Sequence, residues 1–204
     1  GLPENAKITE VFQDKPLGLG HAIWCAREAV GDEPFAVILP DDMVLHGTGC
    51  LSQMVKQYEK LGGNLVAIEA VPHDQTQRYG VLEPGAETGT LVAIKGLVEK
   101  PAPADAPSNL AIIGRYILDP QVMEDLSAFN KGAGGEIQIT DTLANLIGKQ
   151  PLHGYKFQGQ RYDCGNRLGF LAANLAFALS QGDTGRQGDL GEKLRSVLGD
   201  IMKT

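Results

Sequence analysis

The sequence is short of cysteine, of aromatic residues and of long apolar runs. Of its 204 residues, three are cysteine, and phenylalanine, tryptophan and tyrosine together make up 6%. The cysteines, Cys25, Cys50 and Cys164, are an odd and widely spaced set without a C-x-x-C pair, so neither a disulfide framework nor a structural zinc site is indicated. Because no secretory signal or bilayer-length apolar stretch is visible, we expect a cytoplasmic protein without a membrane partner.

Positive charge is also scarce. The formal net charge is -7 and the sequence pI is near 5.1, which leaves no overall cationic field to attract nucleic acid or an anionic membrane. An anionic small molecule would need locally placed cations or a metal ion. Hydrophobic residues make up 43% of the chain, enough to predict a globular protein with a substantial core.

Apolar and polar segments alternate along the first third of the chain in the manner of an α/β protein. The pattern predicts a strand over residues 7–12, a helix over 21–30, a strand over 35–39, a helix over 50–61 and a strand over 64–71. This alternation favours a largely parallel central sheet.

The middle of the chain has a different pattern, because strand-like segments follow one another with little helix between them. They are "YGVLEP", "TLVAIKGLVEKP" and "NLAIIGRYIL", and they predict that the central sheet is mixed. Helical spacing returns from Ile139, from Leu168 and from Leu190. We therefore predict a core over residues 1–181 and a polar linker with a C-terminal helix over residues 182–204.

Two acids follow directly after the predicted strand at residues 35–39. Asp41 and Asp42 would lie at the carboxyl end of that strand, where open α/β sheets bind their ligands, although Pro-Asp-Asp is also ordinary turn chemistry. Asp163 follows another strand-like stretch, and it could simply cap the next helix. If the fold brings Asp163 beside Asp41, the pair would suit Mg²⁺, which prefers hard oxygen ligands.

An acid and a base stand together in "GLVEKP". In a regular strand the side chains of Glu99 and Lys100 would point in opposite directions, but a bulge before Pro101 would let both reach one ligand. Lys100 suits a phosphate group and Glu99 suits sugar hydroxyls. The alternative is a solvated strand end.

Glycines and an amide precede the first predicted helix in "FQDKPLGLGHAI". Gly18 and Gly20 permit a close approach of the backbone to a ligand, and Gln13 could read a base edge, whereas a simple helix-entry turn would explain the same residues. His21, His46, His73 and His153 lack metal-ligand spacing, so we interpret them as surface or locally satisfied residues.

Taken in order, these motifs resemble the bacterial UTP-glucose-1-phosphate uridylyltransferases among the sugar-nucleotide nucleotidyltransferases. The resemblance also includes "YGVLEP", "GRYIL", "GEIQITD" and "YDCG" and covers almost the whole chain. It implies a Rossmann-like fold and a homo-oligomer that converts UTP and glucose 1-phosphate into UDP-glucose. The resemblance implies that Gln13 and Gly18 contact the uracil and that Asp41 and Asp163 bind Mg²⁺. It implies that Gly80, Glu99 and Lys100 bind the sugar phosphate. Lys100 and Asp41 would be the catalytic residues. Asp42 is a weaker candidate for a site residue, and the resemblance assigns no role to Glu136 or Asp141.

The sequence departs from the family in one respect. The family has an N-terminal glycine-rich loop of the G-x-G-T-R type, together with a first strand, and these 204 residues match neither. We therefore expect weak or absent catalysis from this chain, because the triphosphate would lack its main cradle. A glucose-1-phosphate thymidylyltransferase and a non-catalytic sugar-nucleotide-binding domain stay as alternatives.

Overall fold

The structure is a computed structural model that describes residues 5–180, 190–201 and 203. The chain forms two compact units. The first comprises residues 1–37 and 51–157, and the second comprises residues 38–50 and 158–204. The predicted boundary between residues 181 and 182 lies outside the described residues.

Helices and strands alternate through the chain. The helices are α1 (Leu19–Cys25), α2 (Arg27–Val30), α3 (Cys50–Leu61), α4 (Val122–Leu126), α5 (Ile139–Leu146), α6 (Arg167–Ser180) and α7 (Leu190–Ile201). The strands are β1 (Phe35–Ile38), β2 (Asp42–Leu45), β3 (Asn64–Ala70), β4 (Gly80–Thr88), β5 (Leu91–Glu99), β6 (Leu110–Leu118), β7 (Leu152–Lys156) and β8 (Gln160–Asp163). Short 3₁₀ turns occupy His73–Arg78, Pro103–Asp105 and Ala133–Gly135. None of the helices in the described ranges is long and apolar enough to cross a membrane.

A six-stranded sheet with the order β1-β6-β3-β7-β5-β4 forms the centre of the first unit, and β4 also pairs with β6. Strand β3 is parallel to β7, whereas the β3–β6, β4–β5 and β5–β7 pairs are antiparallel. The prediction of a mixed sheet is therefore confirmed. The expectation of a largely parallel sheet was wrong: of the pairs just named only β3–β7 is parallel, and β4 and β5 are joined by a two-residue turn, which can only connect antiparallel neighbours.

The core of the first unit lies between this sheet and helices α1, α4 and α5. Strand β6 is buried from Ala111 through Leu118, as expected of a central strand covered on both faces. Helix α5 places Ile139, Leu143 and Leu146 on its buried side at the 3.6-residue spacing that the sequence predicted. This packing fixes the position of the first turn of α5, which matters for the site described below.

The second unit is built on a two-stranded antiparallel ladder of β2 and β8. Helix α6 follows β8 after a short turn, and α7 packs against α6. The side chain of Arg195 on α7 donates a hydrogen bond to the carbonyl oxygen of Leu179 on α6 at 3.3 Å. The predicted C-terminal helix is thus present over Leu190–Ile201.

Two predicted elements near the start of the chain differ in the structure. Residues 7–12 form no strand: no strand of the described chain pairs with them, and the side chains of Ile8 and Phe12 are exposed. The predicted helix over 21–30 is divided at Ala26 into α1 and α2. Periodicity alone could not show either difference, since both depend on backbone hydrogen bonds.

Candidate active site

The ladder of β2 and β8 brings two acids together in the second unit. Asp42 stands opposite Asp163 in the ladder, and the backbone N–H of Cys164 donates to the carbonyl oxygen of Asp41 at 2.7 Å. A Cβ atom added at Gly165 would lie 3.0 Å from Asp163 Oδ1 and 3.4 Å from Asp41 Oδ2. Two carboxylates that are distant in sequence therefore converge on the same glycine.

Asp42, the ladder partner of Asp163, has an ion-pair partner of its own. Its carboxylate forms an ion pair with the Arg161 guanidinium, and the two side chains are 10% and 7% exposed. A buried carboxylate needs such a partner. The geometry gives Asp42 a structural role in holding β2 against β8.

Cys164 and Asp41 both line an open cavity. The cavity has a volume of about 490 Å³, contacts Asp41 and Cys164, and is walled by Met43, Phe170 and Phe177. Burial raises the pKa of the Cys164 thiol, and the charge of Asp163 raises it further. A raised pKa disfavours the thiolate, so Cys164 is not an activated nucleophile.

Strand β5 ends in an unusual backbone conformation that brings the side chains of Glu99 and Lys100 together. Lys100 has φ of 49°, a left-handed conformation that is uncommon for any residue with a side chain and is further disfavoured before a proline. As a result, Lys100 Nζ lies 3.4 Å from Glu99 Oε1. The irregular strand end that the sequence analysis hypothesised is present, and it aligns the two side chains.

Gly80 lies against this pair. It is the ladder partner of Glu99, and a Cβ added to Gly80 would come within 3.2 Å of Glu99 Oε2 and 2.6 Å of Thr140 Oγ1. No side chain fits there without displacing the side chain of Thr140 in the first turn of α5. The structure thus groups Gly80, Glu99 and Lys100, and it adds Thr140 to them.

Sequence reasoning missed Asp141 as a site residue. Its Oδ2 atom is buried and has no hydrogen-bond partner among the described residues. Burial raises the pKa of Asp141, and the negative charge of Glu99 raises it further. The signal was available, because Asp141 ends the "GEIQITD" motif, but its place in the first turn of a helix offered a simpler explanation.

Gln13 and Gly18 meet at the start of α1. The Gln13 side-chain amide donates to the Gly18 carbonyl oxygen at 3.1 Å, while Gly18 has φ of 114°. A Cβ added at Gly18 would lie 2.7 Å from the carbonyl oxygen of Ile137. The close approach that this glycine permits is therefore to the protein's own backbone, which is explanation enough for its presence.

The segment that Gly18 contacts is tied to the turn by backbone hydrogen bonds. The N–H of Ile137 donates to the Leu17 carbonyl oxygen at 2.7 Å, and the N–H of Gly20 donates to the Ile137 carbonyl oxygen at 2.9 Å. The "GLG" turn and the "GEIQITD" segment are thus paired in the first unit.

The predicted site residues fall into three groups, of which the first unit holds two. Gln13 lies with Gly18, Gly80 lies with Glu99 and Lys100, and in the second unit Asp41 lies with Asp163. Across the described ranges no group of three or more histidine, cysteine, aspartate or glutamate side chains could hold a metal ion. The third group offers two carboxylates, those of Asp41 and Asp163, beside one glycine.

Comparisons of the sequence and of the structure with known proteins both identify nucleotidyl transferases. Residues 3–179 match the nucleotidyl transferase family model. The chain is 52% identical over 151 residues to the UTP--glucose-1-phosphate uridylyltransferase of Komagataeibacter xylinus, covering 74% of this chain and 53% of that protein. The chain thus spans about half the length of this relative.

Solved structures of two relatives share the fold. One is a UTP-bound UGPase from Acinetobacter baumannii, with a TM-score of 0.85 and 35% identity over 98% of this chain and 68% of that chain. The other is a UDP-glucose pyrophosphorylase complexed with UDP-glucose, with a TM-score of 0.79 and 43% identity over 83% of this chain and 65% of that chain. The Rossmann-like fold expected from the resemblance is confirmed, and the chain belongs to the nucleotidyl transferase family.

Proposed function

We propose that this chain carries the site for uridylyl transfer from UTP to glucose 1-phosphate, which yields UDP-glucose and pyrophosphate. The convergence of Asp41 and Asp163 beside Gly165 is the observation that carries the reaction type. The substrates are proposed from similar proteins: two relatives are named UTP--glucose-1-phosphate uridylyltransferase, and two similar solved structures are a UTP-bound UGPase and a UDP-glucose pyrophosphorylase complexed with UDP-glucose.

The reaction requires placement and charge compensation rather than a covalent intermediate. A phosphate oxygen of glucose 1-phosphate attacks the α-phosphorus of UTP, the bond from that phosphorus to the bridging oxygen breaks, and pyrophosphate leaves. Two anions must approach while negative charge builds on the phosphoryl oxygens, so positioning and electrostatic stabilisation dominate. The raised pKa of Cys164 agrees with a mechanism that uses no thiol nucleophile.

Asp41 and Asp163 fit a divalent cation such as Mg²⁺. Both offer hard carboxylate oxygens that face the same glycine, and Asp42 is occupied by its ion pair with Arg161. When bound, Mg²⁺ would neutralise phosphate charge and orient the reacting oxygens. The turn after β8 prepares this pair, because the N–H of Gly165 donates to Asp163 Oδ1 at 3.0 Å and so fixes the carboxylate.

Glu99, Lys100 and Gly80 form the proposed sugar-phosphate side. The Lys100 side chain is about half exposed, while the Glu99 side chain is nearly buried. Lys100 can therefore reach an incoming phosphate, and Glu99 can accept hydrogen bonds from sugar hydroxyls. Gly80 lies beside them as the ladder partner of Glu99, and Gln13 with Gly18 is proposed to contact the uracil.

Binding of UDP-glucose is the primary test, because it probes the proposed site residues without requiring turnover. Isothermal titration calorimetry with UDP-glucose and Mg²⁺ should give saturable binding that Asp41→Asn and Asp163→Asn each weaken about tenfold or more, since each removes a charge-assisted contact. Asp32→Asn, a change at an exposed aspartate, is the matched control. Equal affinities for wild type and both site variants would refute the proposed metal pair.

Turnover then separates the proposed enzyme from its alternatives. UDP-glucose formation by the full-length protein from UTP and glucose 1-phosphate is the expected result, with dTTP used less well. A preference for dTTP would indicate a thymidylyltransferase. Binding of UDP-glucose without any turnover by the full-length protein would indicate a non-catalytic binding domain.

We further propose that the protein is a cytoplasmic homo-oligomer. All three cysteines are free, which suits a reducing compartment. Helix α6 exposes Leu168, Phe170 and Leu171, an apolar set that a second copy of the chain could cover. Light scattering after size-exclusion chromatography tests the proposal, and a strictly monomeric protein at micromolar concentration would contradict it.

A further inference from the structure

Two hydrogen bonds fix the orientation of the Gln13 amide. Its Nε2 atom lies 3.1 Å from the Gly18 carbonyl oxygen and 2.9 Å from His21 Nδ1. A carbonyl oxygen only accepts, so the amide group that faces it must be the NH₂. That NH₂ only donates, so His21 Nδ1 must accept, which requires a neutral imidazole with its proton on Nε2.

The His21 ring is itself held in place. Its Nε2 atom lies 3.7 Å from Cys25 Sγ, within range of a weak N–H···S contact. The ring stacks on Trp24 with 6.3 Å between centroids and tilts against Phe129 at 5.7 Å. On the same helix-entry surface the Arg27 guanidinium covers Trp24 at 3.7 Å. The acceptor that His21 presents to Gln13 is therefore set by packing.

The hydrogen bonds leave one polar group of the Gln13 side chain for a ligand. Both amide hydrogens are directed at Gly18 and His21, and Gln13 Oε1 has no hydrogen-bond partner within the described part of the chain. An oxygen acceptor at this position matches the N3–H donor of uracil. It would repel cytosine, whose N3 atom is an acceptor.

We propose that His21 is a positioning residue that sets base selectivity: by accepting from the Gln13 NH₂ group, it holds Gln13 Oε1 toward the nucleotide and so favours N3–H pyrimidines over cytosine. This inference rests on the proposed function, specifically on uracil binding at Gln13. It assigns a role to a histidine that the sequence analysis interpreted as a surface or locally satisfied residue.

Two variants of His21 separate positioning from packing. His21→Phe keeps an aromatic ring against Trp24 and Phe129 but removes the acceptor. His21→Asn loses the ring but can place a carbonyl oxygen near the position of Nδ1. The measurement is the ratio of affinities for UTP and CTP by titration calorimetry, with the ratio of kcat/KM values in the full-length protein as a second readout.

The two variants have opposite expected outcomes. His21→Phe should lower the UTP-to-CTP ratio about tenfold, the effect of one mispaired hydrogen bond, by freeing the amide to rotate and present its NH₂ group. His21→Asn should keep the ratio within about threefold of wild type, well short of that loss. A structural role alone would lower both affinities together and leave the ratio unchanged, and that result would overturn the inference.

A further measurement distinguishes this inference from the proposed function. The ¹⁵N NMR spectrum of the histidines should show His21 as the neutral Nε2–H tautomer. The opposite tautomer would overturn the inference even if UTP binds. If wild type binds neither UTP nor UDP-glucose, the proposed function fails and the inference fails with it, whereas normal UTP selectivity in His21→Phe refutes the inference alone.

Discussion

Removing the charge of Asp42 should destabilise the chain more than any exposed charge change. Asp42→Asn keeps the size of the side chain but removes the negative charge from the ion pair with Arg161. Both partners are nearly buried, at 10% and 7% side-chain exposure. Removing one partner of a buried ion pair costs far more than removing one partner of a hydrated pair.

The expected magnitude follows from that burial. Breaking a buried ion pair by removing one partner lowers the free energy of unfolding by about 3–5 kcal/mol, whereas replacing both partners with apolar residues is close to neutral. The double variant Asp42→Leu/Arg161→Met should therefore recover most of the stability that Asp42→Asn loses. Because Asp42 faces Asp163 in the ladder, the single change should also weaken Mg²⁺-dependent binding of UDP-glucose.

Urea unfolding followed by far-ultraviolet circular dichroism measures these differences. The matched control is Glu87→Gln, which removes one partner of an exposed ion pair with Lys156 and should cost under about 1 kcal/mol. A loss of less than about 1 kcal/mol for Asp42→Asn would refute the reasoning. So would a double variant that is no more stable than the single variant.

Two further predictions concern the sugar-phosphate side. Lys100→Gly and Lys100→Ala both remove the ammonium group, but only glycine adopts the left-handed backbone conformation of residue 100 without strain. The free energy of unfolding of Lys100→Gly should therefore be about 1 kcal/mol higher than that of Lys100→Ala. Equal urea midpoints for the two variants would contradict a strained turn. Because the pKa of Asp141 is raised, the folded chain binds more protons at this carboxyl group than the unfolded chain does. The contribution of Asp141 to stability is therefore most favourable below the ordinary aspartate pKa of about 3.9. It falls as the pH rises through the raised pKa. Asp141→Asn should therefore be more stable than wild type at neutral pH and lose that advantage toward about pH 4, which unfolding at the two pH values checks; an advantage that does not change with pH would rule out this account.

The sequence predicted the elements of the core well because their periodicity is strong. Helix α3 has the predicted bounds of residues 50 and 61, and strand β6 follows its apolar run. The strand predicted at residues 7–12 was wrong, because an alternating pattern forms a strand only if a neighbour supplies its hydrogen bonds. The spacing of apolar residues indicates which face of an element is buried, whereas hydrogen bonding between strands depends on distant parts of the chain.

The candidate site was predictable in its residue types but not in its distances. "GLVEKP" indicated an irregular strand end, and the left-handed conformation of Lys100 supplies it. No pattern could place Asp163 beside Asp41, since that depends on the pairing of two four-residue strands, β2 and β8. Asp141 was missed for a similar reason: its nearness to Glu99 arises from the packing of α5 on β5, which leaves no local trace.

The segment from Ile137 to Thr140 is anchored at both of its ends. Ile137 exchanges backbone hydrogen bonds with the turn that carries Gly18, and Thr140 abuts Gly80 at the end where Glu99 and Lys100 lie. The length of this four-residue segment therefore sets the spacing between the proposed nucleobase side, at Gly18, and the proposed hexose side, at Gly80. Lengthening it by one residue would shift one recognition surface against the other while leaving every contacting side chain in the sequence.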